Sequence, residues 1–403
     1  MTGEPYQERW NAALMNNYGT PALELVKGSG AEVWDSRGRR YLDMVSGVAV
    51  NALGHAHPAV VAAVTAQIQQ LGHVSNFFVH EPVLRLAERL QGLLEAPDSH
   101  VLFCNSGAEA NETAFKIARR TGRPHIVAAH NAFHGRTMGA LALTGQQPKR
   151  APFEPLPPGV SHVPYGDESA LDAAVDGDTA AVVLEPILGE AGVIVPPEGY
   201  LAEVERTCRE HGAFLVVDEI QTGLGRLGAW WGVDREGVTP DVLLAGKALG
   251  GGVVPVGALL ATEEAFDRLS RDPLLHNSTF SGSPIAMAAV RAAVEVIEEE
   301  GIVERAGALG TVIRDRVAAA LHEACPALVR DVRGVGLLIG IEWTVDFLSL
   351  DFLLEMLDRR VVIAHSMNAP AVSRLTPPAV LTEADVDLIE EAVRASGAAM
   401  VTR

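Results

Sequence analysis

Five short segments of this chain are apolar on both faces: His100–Cys104, His125–Ala129, Ala180–Leu184, Phe214–Val217 and Val242–Ala245. A strand with one wet face alternates polar and apolar residues, whereas a strand covered by helices on both sides does not. Helical stretches lie between several of these runs, among them Ala108–Arg120 and Tyr200–Glu210. The pattern predicts an α/β domain built on a mostly parallel sheet. Beyond Pro284 it changes. Helical patterns over Ala286–Glu300 and Ile302–Ala324, short strands around Leu337–Glu342 and Val361–Ile363, and a closing helix over Glu383–Ala395 predict a smaller α+β domain. Ala31–Met44 reads as a hairpin with its turn at Asp35–Gly38. The expected division is an N-terminal segment over 1–45 that joins the small domain, a large domain over 46–285 and the small domain over 286–403. No repeat or low-complexity linker separates these parts, so they are expected to pack as one body.

Charge and cysteine usage narrow the partners. The 403 residues carry 51 acidic and 32 basic side chains, a formal net charge of −19, which repels phosphate backbones and argues against nucleic acid. At 48% hydrophobic residues the chain has ample material for a core. Cys104, Cys208 and Cys325 are too few and too far apart for a disulfide framework, and no pair has metal-ligand spacing; a reducing cytosol is the expected compartment. The opening MTGEPYQERW lacks a basic segment followed by an apolar run, so no secretory signal is expected. The most apolar stretch, Gly250–Ala261, is broken by glycines and Pro255 and is too short to span a bilayer.

Only four residues are lysines: Lys27, Lys116, Lys149 and Lys247. Arginine supplies nearly every other cation. Lys247 stands apart from the other three, at the end of a buried strand in LLAGKALGGG. Burial lowers an amine pKa, and a neutral primary amine is a nucleophile that can form a Schiff base, which arginine cannot. A Walker phosphate loop is excluded because Asp241 stands where its first glycine belongs and Ala248 where its Ser or Thr belongs. FLVVDEIQTG places Asp218 directly after a strand, where a carboxylate could hold a protonated pyridine nitrogen. Ser106–Gly107–Ala108 lies between a strand and a helix, a ready phosphate site. Each feature has a plain alternative: a snorkelling lysine, a turn carboxylate, an ordinary N-cap. All three together at strand C-termini, where α/β proteins bind ligands, point to one site.

Other motifs lead nowhere. GLGRLG at Gly223–Gly228 matches a dinucleotide fingerprint but has no clear helix start after it. His55 and His57 lack nearby Cys or carboxylate partners in sequence and are read as structural. His80-Glu81 lacks the second histidine of a zinc-protease helix, and neither Ser-x-x-Lys nor Gly-x-Ser-x-Gly occurs.

LDMVSGVAVNALGHAHP, NSGAEANETAFKIAR, FHGRT, LEPILGEAG, VVDEIQTGLGR, LLAGKALGGG, HNSTFSG and SRLTPP together resemble a class III pyridoxal-phosphate aminotransferase of fold type I, from about Asn17 to about Ala395. The resemblance implies that Lys247 carries the cofactor and that Asp218 holds its pyridine nitrogen. Gln221 would contact the ring hydroxyl, Phe133 and Ile220 would flank the ring, and Ser106, Gly107 and Ala108 would bind the phosphate. It also implies a homodimer in which Thr279 reaches the phosphate of the partner subunit's site. Tyr18, Glu190 and Arg374 would face the substrate, Arg374 clamping a carboxylate and Glu190 pairing with it in alternation. An amine donor and a 2-oxo acid are the implied partners.

The N-terminal half is most similar to acetylornithine and ornithine aminotransferases, and the C-terminal stretches to putrescine aminotransferases. The expected donor is accordingly a diamine or ornithine, with acetylornithine as the alternative and an aminomutase of the same fold as another. HNSTFSGSP in place of HGSTFGGNP, and Thr376 before the proline pair, depart from the usual pattern.

Overall fold

The computed structural model describes residues 5–402. Its largest sheet has seven strands in the order His100–Cys104, Gly257–Ala261, Val242–Ala245, Phe214–Asp218, Thr179–Leu184, His125–Ala129 and Val160–Val163. Gly257–Ala261 runs antiparallel to both neighbours; the remaining pairs are parallel. The expected α/β sheet is therefore present, with two strands the apolar-run criterion did not single out. Gly257–Ala261 was hidden inside the glycine-broken stretch. A side chain on Gly257 would stand 2.6 Å from the Ser106 carbonyl oxygen, so only glycine lets this strand pass so close to the turn after Cys104.

The doubly apolar runs have a visible cause. Val182, Leu184, Leu215, Val217, Leu243 and Ala245 belong to one core, which includes Leu201 and Val204 of helix Tyr200–His211 and Met287 of helix Pro284–Glu299. The alternate residues Ala181, Val183, Phe214, Val216, Val242 and Leu244 belong to a second core, with Ala110, Ala114 and Ile117 of helix Gly107–Arg120. Each Val or Leu so buried stabilises the fold by about 1.5–3 kcal/mol, on both faces of the sheet.

The hairpin forms as expected, Glu32–Asp35 pairing with Arg40–Asp43. Val361–Val362 joins that sheet, parallel to Arg40–Asp43, and not the C-terminal one. The C-terminal sheet is Val329–Val335, Leu338–Trp343, Val372–Leu375 and Ala364–His365, with Gly340 opposite Arg374. Helices run over Pro284–Glu299, Ile302–Ala324 and Glu383–Val401, close to expectation. Helix Phe347–Asp358 was not expected; FLSLDFLLEMLD is apolar nearly all round and carries little 3.6-residue contrast.

The glycine run at Gly223–Gly228 forms turns, not a nucleotide loop. Arg226 within it is buried and donates to the carbonyls of Leu337 (3.3 Å) and Pro377 (2.5 Å), fastening this turn to the C-terminal sheet. His55 bonds Asp43 at 2.7 Å, a polar strut beneath the hairpin. Cys104, Cys208 and Cys325 are buried free thiols.

Candidate active site

Six strands of the large sheet point the same way, and their C-terminal ends bring the candidate residues together. Lys247 follows Val242–Ala245 and Gly246, in a left-handed conformation (φ 43°) that a residue with a Cβ adopts only under strain of roughly 1–3 kcal/mol. It is partly buried, between the buried Gly246 and Ala248. Burial lowers its pKa; the charge of Glu190 opposes this and that of Arg374 adds to it. The lysine is thus biased toward the neutral amine that nucleophilic chemistry needs.

Asp218 ends the next strand and is 3% exposed. His134 Nδ1 lies 2.8 Å from Oδ2, Asn111 Nδ2 donates to the same oxygen at 2.9 Å, and the Ile220 amide donates to Oδ1 at 3.1 Å. Burial alone would lower the His134 pKa, but the hydrogen bond and charge of Asp218 outweigh it and the pKa is raised. The hydrogen bond thus favours the charged form of His134, which sets a positive partner behind the carboxylate. His134 is a functional residue that the sequence motifs did not single out; its position in FHGRT, one residue after Phe133, was the available signal.

Ser106 caps the helix Gly107–Arg120, its Oγ accepting from the Glu109 amide at 3.2 Å. The first amides of a helix have no intrahelical acceptor and carry the positive end of its dipole. Ile220 packs between this turn and the lysine turn: a Cβ on Gly107 would stand 2.6 Å from Ile220 Cδ1, and one on Gly246 3.3 Å from its Cγ2. Phe133 is half-buried, with Arg136 over its ring at 5.3 Å.

Arg374 and Glu190 form an ion pair at 2.6 Å, with side chains only 2% and 4% exposed. Gln221 touches both: its Nε2 donates to Glu190 Oε1, and Arg374 Nη1 donates to its Oε1, each at 3.5 Å. Burial would raise the Glu190 pKa, but Arg374 and Lys247 outweigh that and lower it. Gly189 is obligatory here, since a Cβ would lie 1.5 Å from Gln221 Oε1.

Residues Ser46–Ala49 form a left-handed turn, with φ of 51°, 62°, 66° and 63°. For a β-branched residue such as Val48 this is a strained backbone. Thr376 pins the turn by donating to the Val45 carbonyl at 2.8 Å, and a Cβ on Gly252 would lie 2.5 Å from Asn51 Oδ1. The turn is wedged between the Arg374 strand and the loop after Lys247.

Tyr18 and Thr279 are not enclosed with these side chains. Both are exposed, Tyr18 at 84%, and among the described residues neither side chain hydrogen-bonds to the Lys247 group. Large apolar side chains share their exposure: Phe77, Phe78, Val79, Leu274 and Phe280.

Four buried polar atoms here have no partner: Asn111 Oδ1, His134 Nε2, Glu190 Oε2 and Arg374 Nε. With a nucleophilic amine, a dianion site at a helix start and a buried carboxylate, this donor set fits pyridoxal 5'-phosphate. Fold and site together define a class, the enzymes that hold this cofactor on a lysine at one end of a parallel sheet.

The chain belongs to the class-III aminotransferases, whose family model matches residues 14–395. It is 52% identical over 381 residues to the acetylornithine aminotransferase of Mycolicibacterium smegmatis, covering 94% of this chain and 95% of that one. Against the acetylornithine aminotransferase of Streptomyces coelicolor it is 52% identical over 378 residues, covering 94% and 91%. Among solved structures, ornithine aminotransferase from Toxoplasma gondii superposes with a TM-score of 0.93 at 32% identity, covering 98% of this chain and 95% of that one. Acetylornithine aminotransferase from Elizabethkingia anophelis gives 0.87 at 32%, covering 97% and 98%. The protein is a pyridoxal-phosphate-dependent transaminase.

Proposed function

We propose that the protein exchanges the terminal amino group of acetylornithine with 2-oxoglutarate. The buried Arg374–Glu190 pair beside Lys247 is the observation that carries this reading. While Glu190 neutralises Arg374, a donor whose reacting end bears no carboxylate can enter; a dicarboxylate must displace Glu190 and take the guanidinium in its place. Relatives at 52% identity over nearly the whole chain support acetylornithine above the diamine or ornithine donor that the C-terminal motifs suggested.

Bound pyridoxal 5'-phosphate supplies an electron sink for the C–H bond broken beside the transferred nitrogen. Lys247 would hold it through its Nζ, and the same nitrogen, as a neutral amine, would carry the proton. Asp218, backed by His134 and Asn111, would stabilise positive charge on the ring nitrogen. Ser106, Gly107 and Ala108 would hold the cofactor's phosphate, Phe133 and Ile220 its ring, and Gln221 its hydroxyl.

A second copy of the chain completes the site in this reading. The exposed Phe77, Phe78, Val79, Leu274 and Phe280, beside Thr279, support a homodimer, because an apolar surface of this kind is buried in stable assemblies. Three free thiols support a cytoplasmic location.

Absorbance-monitored half-reactions test the donor, following conversion of the cofactor from its aldehyde to its amine form. Acetylornithine is expected to react fastest in a panel with ornithine, putrescine and 4-aminobutyrate. Putrescine reacting tenfold faster than acetylornithine would overturn the assignment.

A further inference from the structure

Glu185 follows the strand Thr179–Leu184 and is 5% exposed. Its Oε1 accepts from the Phe133 amide at 2.9 Å, and its Oε2 accepts from the Gly189 amide at 3.3 Å. The first amide belongs to the loop after His125–Ala129; the second immediately precedes Glu190. One carboxylate thus bridges the two loops that flank the site. The strand end beneath it is fixed by the Tyr165 hydroxyl, which donates to the carbonyls of Glu185 (2.7 Å) and Pro186 (2.9 Å).

Resting on the function proposed above, we propose that Glu185 is a positioning residue that holds Phe133 against the cofactor and Glu190 against Arg374 with the two oxygens of one side chain.

The chemistry of the group explains the choice of residue. An ionised carboxylate presents two acceptor oxygens and no donor, which suits two converging N–H groups. Glutamine keeps the volume but has one acceptor; its amide nitrogen would face an N–H. Aspartate is one methylene too short to meet both. Burial, with the charge of Asp218, pushes the Glu185 pKa up to about 7, while His134 and the two amides pull the other way. Lys247, His134, Asp218 and the Tyr165 hydroxyl are the titratable groups that face it. The amides and His134 are what make an ionised Glu185 tolerable in so enclosed a place.

Glu185→Gln in the holoenzyme tests the idea, since losing one charge-assisted hydrogen bond corresponds to a ~10–100-fold change in an equilibrium. The cofactor dissociation constant, measured by equilibrium dialysis, is expected to rise at least tenfold. Because a loosened Glu190 competes less for Arg374, the KM for 2-oxoglutarate is expected to fall at least fivefold, with the acetylornithine half-reaction at saturating cofactor changing less than threefold. Unchanged cofactor affinity, or an unchanged or raised KM for 2-oxoglutarate, overturns the proposal. Should the variant fail to fold, residue-resolved hydrogen exchange on the wild type decides: both the Phe133 and Gly189 amides must exchange slowly, and fast exchange at either overturns it. Failure of the broader functional reading looks different, because the wild type itself would then show no transamination with a 2-oxo acid.

Discussion

Replacing Glu190 by Gln removes one negative charge from a buried pair while keeping the side-chain volume. The two groups are 2.6 Å apart and almost fully enclosed. At an effective dielectric constant of ~20, charge centres about 4 Å apart attract by about 4 kcal/mol, and breaking a buried pair from one side destabilises by about 3–5 kcal/mol. The cofactor-loaded variant should therefore melt several degrees below the wild type. A dicarboxylate should then do what Glu190 no longer does. In the wild type, 2-oxoglutarate must first break the internal pair; in the variant it meets an unpaired guanidinium, so its affinity should rise at least tenfold. Differential scanning fluorimetry with and without 2-oxoglutarate measures both effects, and the ligand should raise the melting temperature more in the variant. Equal ligand-induced shifts in the two proteins would show that Glu190 does not compete for Arg374, and the alternating clamp would be wrong.

Lys247→Ala should abolish turnover and the yellow absorbance of covalently held cofactor; a substantially active, coloured variant refutes the assignment of that amine. His134 has a raised pKa in the folded chain, so its contribution to stability is complete below its unfolded value near 6.5 and fades as pH rises through the folded value. The stability difference between cofactor-free wild type and His134→Asn, read from urea melts, should accordingly shrink from pH 6 to pH 9, and growth over that range would contradict the Asp218–His134 coupling. Sedimentation equilibrium should return twice the chain mass for the active enzyme; a fully active monomer would remove Thr279 from the site.

Much of the architecture was legible along the chain because its causes are local. A strand packed on both sides shows an unbroken apolar run, as Phe214–Asp218 does, and its end is where Asp218 and Lys247 had to be sought. Gly257–Ala261 and Val372–Leu375 escaped notice because a glycine-interrupted or four-residue segment carries too little periodicity to separate strand from loop. Helix Phe347–Asp358 escaped for the opposite reason, too many apolar residues in a row.

Residue chemistry and backbone periodicity are written in neighbouring positions, so the sheet, the nucleophilic lysine and the strand-end carboxylate could be read directly from order. Pairings across long stretches of chain could not. Arg374 meets Glu190, His134 backs Asp218, and Glu185 joins Phe133 to Gly189 only because the strands that carry them lie side by side. Enclosure in the folded core is what biases Lys247 toward the neutral amine and raises Glu185, since the energy of a charge depends on how much water the packed chain excludes from it.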